Sequence, residues 1–213
     1  MSRTHIGLVL VAGLIGALCA VGLSGHDRRA PGRPVSASTR PVASQVRVAV
    51  PPPAAPFALP PAMPTRLRIP TLSIDAPIEP SGVNPDGTLE VPPFSHPEQV
   101  DWDTATPAPG TRGAAVLLGH LDTWNGLAVF AYLRTIRPGG LVEVDRDDGS
   151  VATFTVDEVA QYPKDQVPGD EIYDDPGYPA LRLITCGGAF DKSTREYEDN
   201  IVVYARLQGR TSR

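Results

Sequence analysis

The amino-acid sequence predicts an all-β domain, closed or nearly closed into a barrel and carrying one or two short helices. Three observations lead there. Short runs of alternating apolar and polar residues recur between Arg66 and Leu207. Turn signals separate them, among them Asn84-Pro85-Asp86-Gly87 and Asp147-Asp148-Gly149-Ser150. Only Gly126 to Ile136 carries a helical period, with Leu127, Phe130, Ala131 and Leu133 on one face.

The elements follow in chain order. Ile6 to Leu23 is an uncharged run of 18 residues rich in Leu, Val, Ala and Gly. A membrane-spanning helix needs roughly 20 such residues, and a cleaved export signal has an apolar core of about 7–15. Gly22-Leu23-Ser24 would serve as a cleavage site, so both fates are open; residues 1–26 are expected to be an export segment retained as an anchor. More arginines follow the run (Arg28, Arg29, Arg33, Arg40, Arg47) than precede it (Arg3), which opposes a cytoplasmic N-terminus, although long domains translocate largely regardless of flanking charge. Residues 27–64 hold ten of the 24 prolines and no apolar period. They cannot bury a core and are expected to form a disordered, partly polyproline tether.

The folded domain is expected over residues 65–213. Arg66 to Ile69 and Leu72 to Ala76 alternate as strands, with Pro70 and Pro77 confining them to edges or bends. Thr88 to Val91 is a short strand after the Asn84 turn. Ala115 to His120 is a continuous apolar strand. Leu141 to Asp145 and Val151 to Val159 flank Asp147-Asp148-Gly149-Ser150 as a hairpin. Ala180 to Cys186 and Ile201 to Leu207 close the domain. Up to Pro64 the chain has six arginines and one aspartate, net +5; beyond it, 13 basic and 23 acidic residues give −10. No nucleic-acid partner is expected for so acidic a domain. There is no phosphate-binding glycine loop and no ligand spacing for a metal, so neither metal nor cofactor is expected.

Chemistry concentrates at two strand ends. Cys186 is the only cysteine outside the apolar N-terminus, where Cys19 reads as filler, and Gly187-Gly188 follow it. His120, 66 residues earlier, ends the other apolar strand. A thiol becomes a strong nucleophile as a thiolate, which a neighbouring cation favours. A histidine can supply that charge and later protonate a departing amine. An arginine cannot exchange protons, but it can hold a carbonyl oxygen or oxyanion with fixed hydrogen bonds. Cys186, His120 and Arg195, nine residues after the cysteine, therefore point to amide cleavage through a thioacyl intermediate.

Leu183-Ile184-Thr185-Cys186 resembles the cysteine motif of the sortases, with Arg182 where that motif's first threonine would fall. Leu118-Gly119-His120-Leu121-Asp122 resembles the strand end carrying the sortase histidine. Cys186 to Asp191 and Asp199-Asn200-Ile201-Val202-Val203-Tyr204-Ala205 are similar to the class E/F branch. The resemblance spans roughly Thr65 to Leu207. It implies an eight-stranded β-barrel and a membrane-attached cysteine transpeptidase. Such an enzyme cleaves a Leu-Pro-x-Thr-Gly-like sorting signal on a surface protein between Thr and Gly and passes the acyl group to a cell-wall amine. Leu183, Thr185 and Asp122, beside the two motif residues, are the expected substrate contacts. The family's arginine would fall near Glu198 or Asn200, where this chain has no basic residue; Arg195 is the nearest candidate and Arg182 the reserve. Two other readings are a different Cys/His/Arg peptidoglycan transpeptidase and a non-catalytic envelope-binding barrel.

Overall fold

The computed structural model describes residues 58–84 and 89–212. The expected anchor helix and the tether as far as residue 57 lie outside the described residues. In chain order the strands are β1 (Pro64–Ile69), β2 (Ile74–Ser81), β3 (Val100–Asp103), β4 (Gly113–Gly119), the short pair β5 (Asp122–Thr123) and β6 (Gly126–Leu127), β7 (Leu141–Arg146), β8 (Ser150–Pro163), β9 (Pro179–Asp191) and β10 (Glu196–Ser212). The one α-helix among the described residues, α1, is Gly169–Tyr173. Eight strands close a barrel in the order β1-β2-β3-β4-β9-β10-β8-β7, and β7 pairs back to β1. Pairs β2–β3 and β4–β9 are parallel; the other ladders are antiparallel.

Alternation along the strands sorts the apolar residues into two clusters. Ala115, Leu117, Leu181, Leu183, Val203 and Ala205 point into the barrel, where Phe154 and Leu67 meet them. Val116, Leu118, Ile184, Val202 and Tyr204 point outward and are covered by Ile172 and Tyr173 of α1 and by Val167. With both faces covered, β4 is buried along its whole length, and its sequence accordingly reads as an unbroken apolar run. Each fully buried Leu or Phe contributes roughly 1.5–3 kcal/mol relative to exposure.

The barrel, the hairpin at Asp147–Ser150 and the strand positions match the sequence reading. Three details differ. The expected strand Thr88–Val91 is, among the described residues, a single bridge from Leu89 to Val83. β3 and α1 escaped the sequence reading. The helix expected over 126–136 does not form: the segment contains β6 and a 3₁₀ turn at Leu133–Thr135. Phe130, Leu133 and Ile136 recur every third residue, and their backbones are joined by bonds three residues apart (Leu133 N–H to the Phe130 carbonyl, Ile136 N–H to the Leu133 carbonyl). That is the 3₁₀ repeat, and it drives all three side chains into the barrel core.

Candidate active site

The parallel pairing of β4 with β9 builds the site. Leu118 stands opposite Ile184, and both face outward. Two residues further along each strand come His120, just past the end of β4, and Cys186, inside β9 with the even-numbered residues Arg182 and Ile184 on the outer face. Gly119 lets the next segment close in: a Cβ there would come within 2.6 Å of the Phe130 ring. The Phe130 N–H donates to the His120 carbonyl at 2.9 Å, pinning the backbone that carries the imidazole.

The imidazole is held from above by the β2–β3 connection. His120 Nε2 lies 2.6 Å from the Pro92 carbonyl oxygen. A carbonyl only accepts, so Nε2 carries the proton and, in the neutral ring, Nδ1 is the free acceptor. Phe94 stacks on the ring at 4.5 Å and 11°, and Trp124 lies 6.0 Å from Phe94. Both aromatics are exposed, so the histidine side of the site presents an apolar surface to solvent.

Cys186 is a free, half-buried thiol paired with Asn200 of β10. Burial pushes its pKa above the ordinary thiol value; Lys164 opposes that shift, while Asp122 and Glu196 add to it. Asp122 accepts a 2.5 Å hydrogen bond from the Tyr197 hydroxyl, tying the β9–β10 hairpin to the loop after His120. That bond is the main reason the Tyr197 phenol is pushed up to about 12, so it stays a donor at neutral pH. Lys164 Nζ meets Glu196 Oε2 at 3.3 Å.

The other expected residues fall elsewhere. Leu183 is 0 % exposed and lies in the barrel core, so the substrate contact expected of it is corrected to core packing. Thr185 shares its parity, is buried, and leaves its Oγ1 without a partner. Asp122 faces Tyr197 beside the site. Arg195 sits in the turn joining β9 to β10, exposed, with a left-handed φ of 60°. Its N–H closes the turn on the Asp191 carbonyl, five residues and roughly 15 Å of extended strand beyond Cys186. Arg182 is on the cysteine's face, but its guanidinium is committed. Nε and Nη2 each donate to the Glu171 carbonyl at 3.2 Å, Nη1 donates to the Leu181 carbonyl, and the group lies 4.7 Å over the Tyr204 ring. It fastens α1 to the sheet. Sequence reasoning missed Pro92, Phe94, Trp124 and Tyr197, whose places beside the site depend on tertiary contacts that no local pattern signals.

A thiol and an imidazole that each follow the paired stretch of two parallel strands, with exposed aromatics at the imidazole, would suit attack on an amide carbonyl. The family model for the Sortase domain matches residues 67–208. No curated protein matches the chain. Among solved structures, SrtA sortase from Actinomyces oris is 19% identical, covering 74% of this chain and 90% of its own, with a TM-score of 0.55. A lid mutant of sortase A from Corynebacterium diphtheriae is 17% identical over 70% and 71% of the two chains, with a TM-score of 0.54. Sortase C-1 from Actinomyces oris is 20% identical over 71% and 76%, also at 0.54.

Proposed function

The chain belongs to the sortase family of cysteine transpeptidases, and from that premise we propose that Cys186 and His120 cleave a Leu-Pro-x-Thr-Gly-type sorting signal and transfer the surface protein that bears it to a cell-wall amine. The observation that supports the proposal is the β4–β9 register, in which Leu118 stands opposite Ile184, each two residues before His120 and Cys186. In the first step the Cys186 sulfur bonds the Thr carbonyl carbon and the Thr–Gly C–N bond breaks. His120 gives its proton to the departing glycine amine. In the second step an amine of the cell-wall precursor attacks the thioester and loses a proton to His120; the amide forms and the thiolate leaves. Phe94 and Trp124, exposed beside the imidazole, suit the apolar residues of such a signal. Residues 1–26 would hold the domain at the outer surface of the cell membrane.

A panel of sorting-signal peptides incubated with the protein should yield a Cys186 thioester detectable by mass spectrometry, and amine acceptors should release it as a new amide. Cys186→Ala should give neither product. Turnover retained in that variant would overturn the thiol mechanism.

A further inference from the structure

We propose that Pro92 and Phe94, on the connection between β2 and β3, are positioning residues for the imidazole: they keep its Nε2–H engaged, so that Nδ1 alone takes the Cys186 proton and hands it to the departing amine. The inference deepens the proposed reaction and rests on His120 being its acid–base group.

The sequence builds the carbonyl that does the holding. Val91-Pro92-Pro93-Phe94 places two prolines in succession. The Pro92 ring fixes its own φ, and Pro93 confines the ψ of Pro92 to the extended region. The Pro92 carbonyl is thereby aimed in one direction, and its oxygen meets His120 Nε2 at 2.6 Å. Two residues on, the Phe94 ring lies on the imidazole with centroids 4.5 Å apart and planes 11° from parallel. The bond opposes the ring flip that would exchange the two nitrogens, and the stack opposes tilting.

The connection is itself anchored on both sides. Ahead of the prolines, the Glu90 N–H donates to the Gly82 carbonyl at 3.0 Å and the Gly82 N–H to Glu90 Oε2 at 2.7 Å. After Phe94, the His96 N–H returns to the Pro93 carbonyl at 2.9 Å, and the Val129 N–H donates to the Pro97 carbonyl at 2.8 Å. Phe130, next in the chain, donates to the His120 carbonyl. The contacts close a circuit from the imidazole to Pro92, along to Pro97, across to Val129 and back to the His120 backbone. Phe94 leaves half its surface in solvent, so its place on the imidazole is not core packing.

The protons balance. The Cys186 S–H gives its proton to the Nδ1 lone pair, and the thiolate attacks the carbonyl carbon. The ring then carries a proton on each nitrogen. As the C–N bond breaks, the Nδ1 proton passes to the glycine nitrogen and the ring returns to its Nε2–H form. Neither contact has to break in this cycle, because Nε2 donates in both the neutral and the charged ring and an aromatic face accepts a cation.

The test is proton–nitrogen NMR of the full-length protein carrying ring-labelled histidine, with His120→Gln identifying the signal among the four histidines. The wild type should show the neutral ring in its Nε2–H form, that proton shielded from solvent exchange by the Pro92 carbonyl. Phe94→Ala removes the stack and Pro93→Ala frees the carbonyl. Each should speed exchange of the Nε2 proton by about 10-fold, the scale of one hydrogen bond's net worth. Each should also lower kcat on a sorting-signal peptide by about 10-fold through misplacement of the base, more than it raises KM. Phe94→Tyr keeps the stack and should restore both. Trp124→Ala, which removes only the neighbouring aromatic, should raise KM and leave the Nε2 proton as it was. The proposal is overturned by a wild-type ring protonated on Nδ1, by variants whose Nε2 proton exchanges as slowly as the wild type's, or by fast exchange with kcat unchanged. The proton signal needs no peptide, so it holds or fails independently of whether a thioester forms on Cys186.

Discussion

Burial works against a thiol that must ionise, and it holds the Cys186 pKa above the ordinary thiol value. This has a consequence for stability. The folded pKa is raised by burial first, so the neutral thiol's contribution is fully present below the unfolded value of about 8.5 and is lost as pH rises through the folded value. Cys186→Ala should therefore lose less stability than the wild type above about pH 8.5, measured by urea melts at neutral and alkaline pH; parallel losses would contradict the shift. His120→Ala should lower kcat/KM by at least about 10²-fold, the usual scale of a positioned acid or base. A fall in thermal stability large enough to account for the lost rate would make the imidazole a structural group held by Pro92 and Phe94. Arg182 is expected to behave in the opposite way. Its guanidinium is buried and donates to two carbonyls, so Arg182→Leu should cost about 2–4 kcal/mol of stability while the turnover of the folded fraction stays within a few-fold. An inactive but stable variant would return Arg182 to the reaction.

Strand parity decides which motif residues reach a substrate, and it explains where the sequence was legible. Cys186 and His120 stood out because each ends an apolar run in the sequence, and a nucleophile and a base are rare side chains in such places. Leu183 did not belong with them, since the odd residues of β9 up to Thr185 face the barrel core and only the even ones share the cysteine's face. The segment after Gly126 was misread for a related reason: Leu127, Ala131 and Phe130 suggested a helix, whereas burial of Phe130, Leu133 and Ile136 selects the tighter repeat. The strand ends also ran further than expected, β9 to Asp191 and β10 from Glu196 to Ser212. Between them lies the bulge that follows the cysteine, where Tyr197 pairs Phe190 but Asp199 already pairs Gly187. Gly188 has φ 78° there, and a Cβ on it would collide with the Asp199 carboxylate. Gly188→Ala should cost about 1–3 kcal/mol from left-handed backbone and contact together. Gly177→Ala, at φ 90° with open space around it, incurs only the backbone part. If the two melt alike, the bulge does not rest on the contact with Asp199.

At the scale of the whole domain, the barrel's stability depends on residues that composition assigns to the tether. The Leu59 N–H donates to the Gly110 carbonyl at 2.8 Å, and Leu59 packs against the core. Gly110, at φ 98°, leaves room for it: a Cβ there would come 2.8 Å from Leu59 Cδ1. Met63 and Asp147 exchange two bonds, the Asp147 N–H to the Met63 carbonyl at 2.9 Å and the Met63 N–H to Asp147 Oδ1 at 3.0 Å. The Arg146 side chain is wholly buried; its Nη2 donates to the Pro60 carbonyl and its Nη1 to Ser150 Oγ at 3.1 Å. Removing Pro60 leaves that guanidinium short of an acceptor in a place water does not reach, at about 1.5–3 kcal/mol, and each lost neutral bond adds about 0.5–1.5. Two proteins, one starting at Ala58 and one at Thr65, should therefore differ by about 3–6 kcal/mol. That is a large part of the roughly 5–15 kcal/mol that holds an ordinary domain together. β1 loses only Pro64 and the other strands, His120 and Cys186 are the same in both, so the shorter protein should melt much earlier while its surviving folded fraction alkylates at Cys186 with an unchanged pH profile. Equal melting of the two would show that residues 58–64 only rest on the barrel, and that Arg146 is satisfied without Pro60.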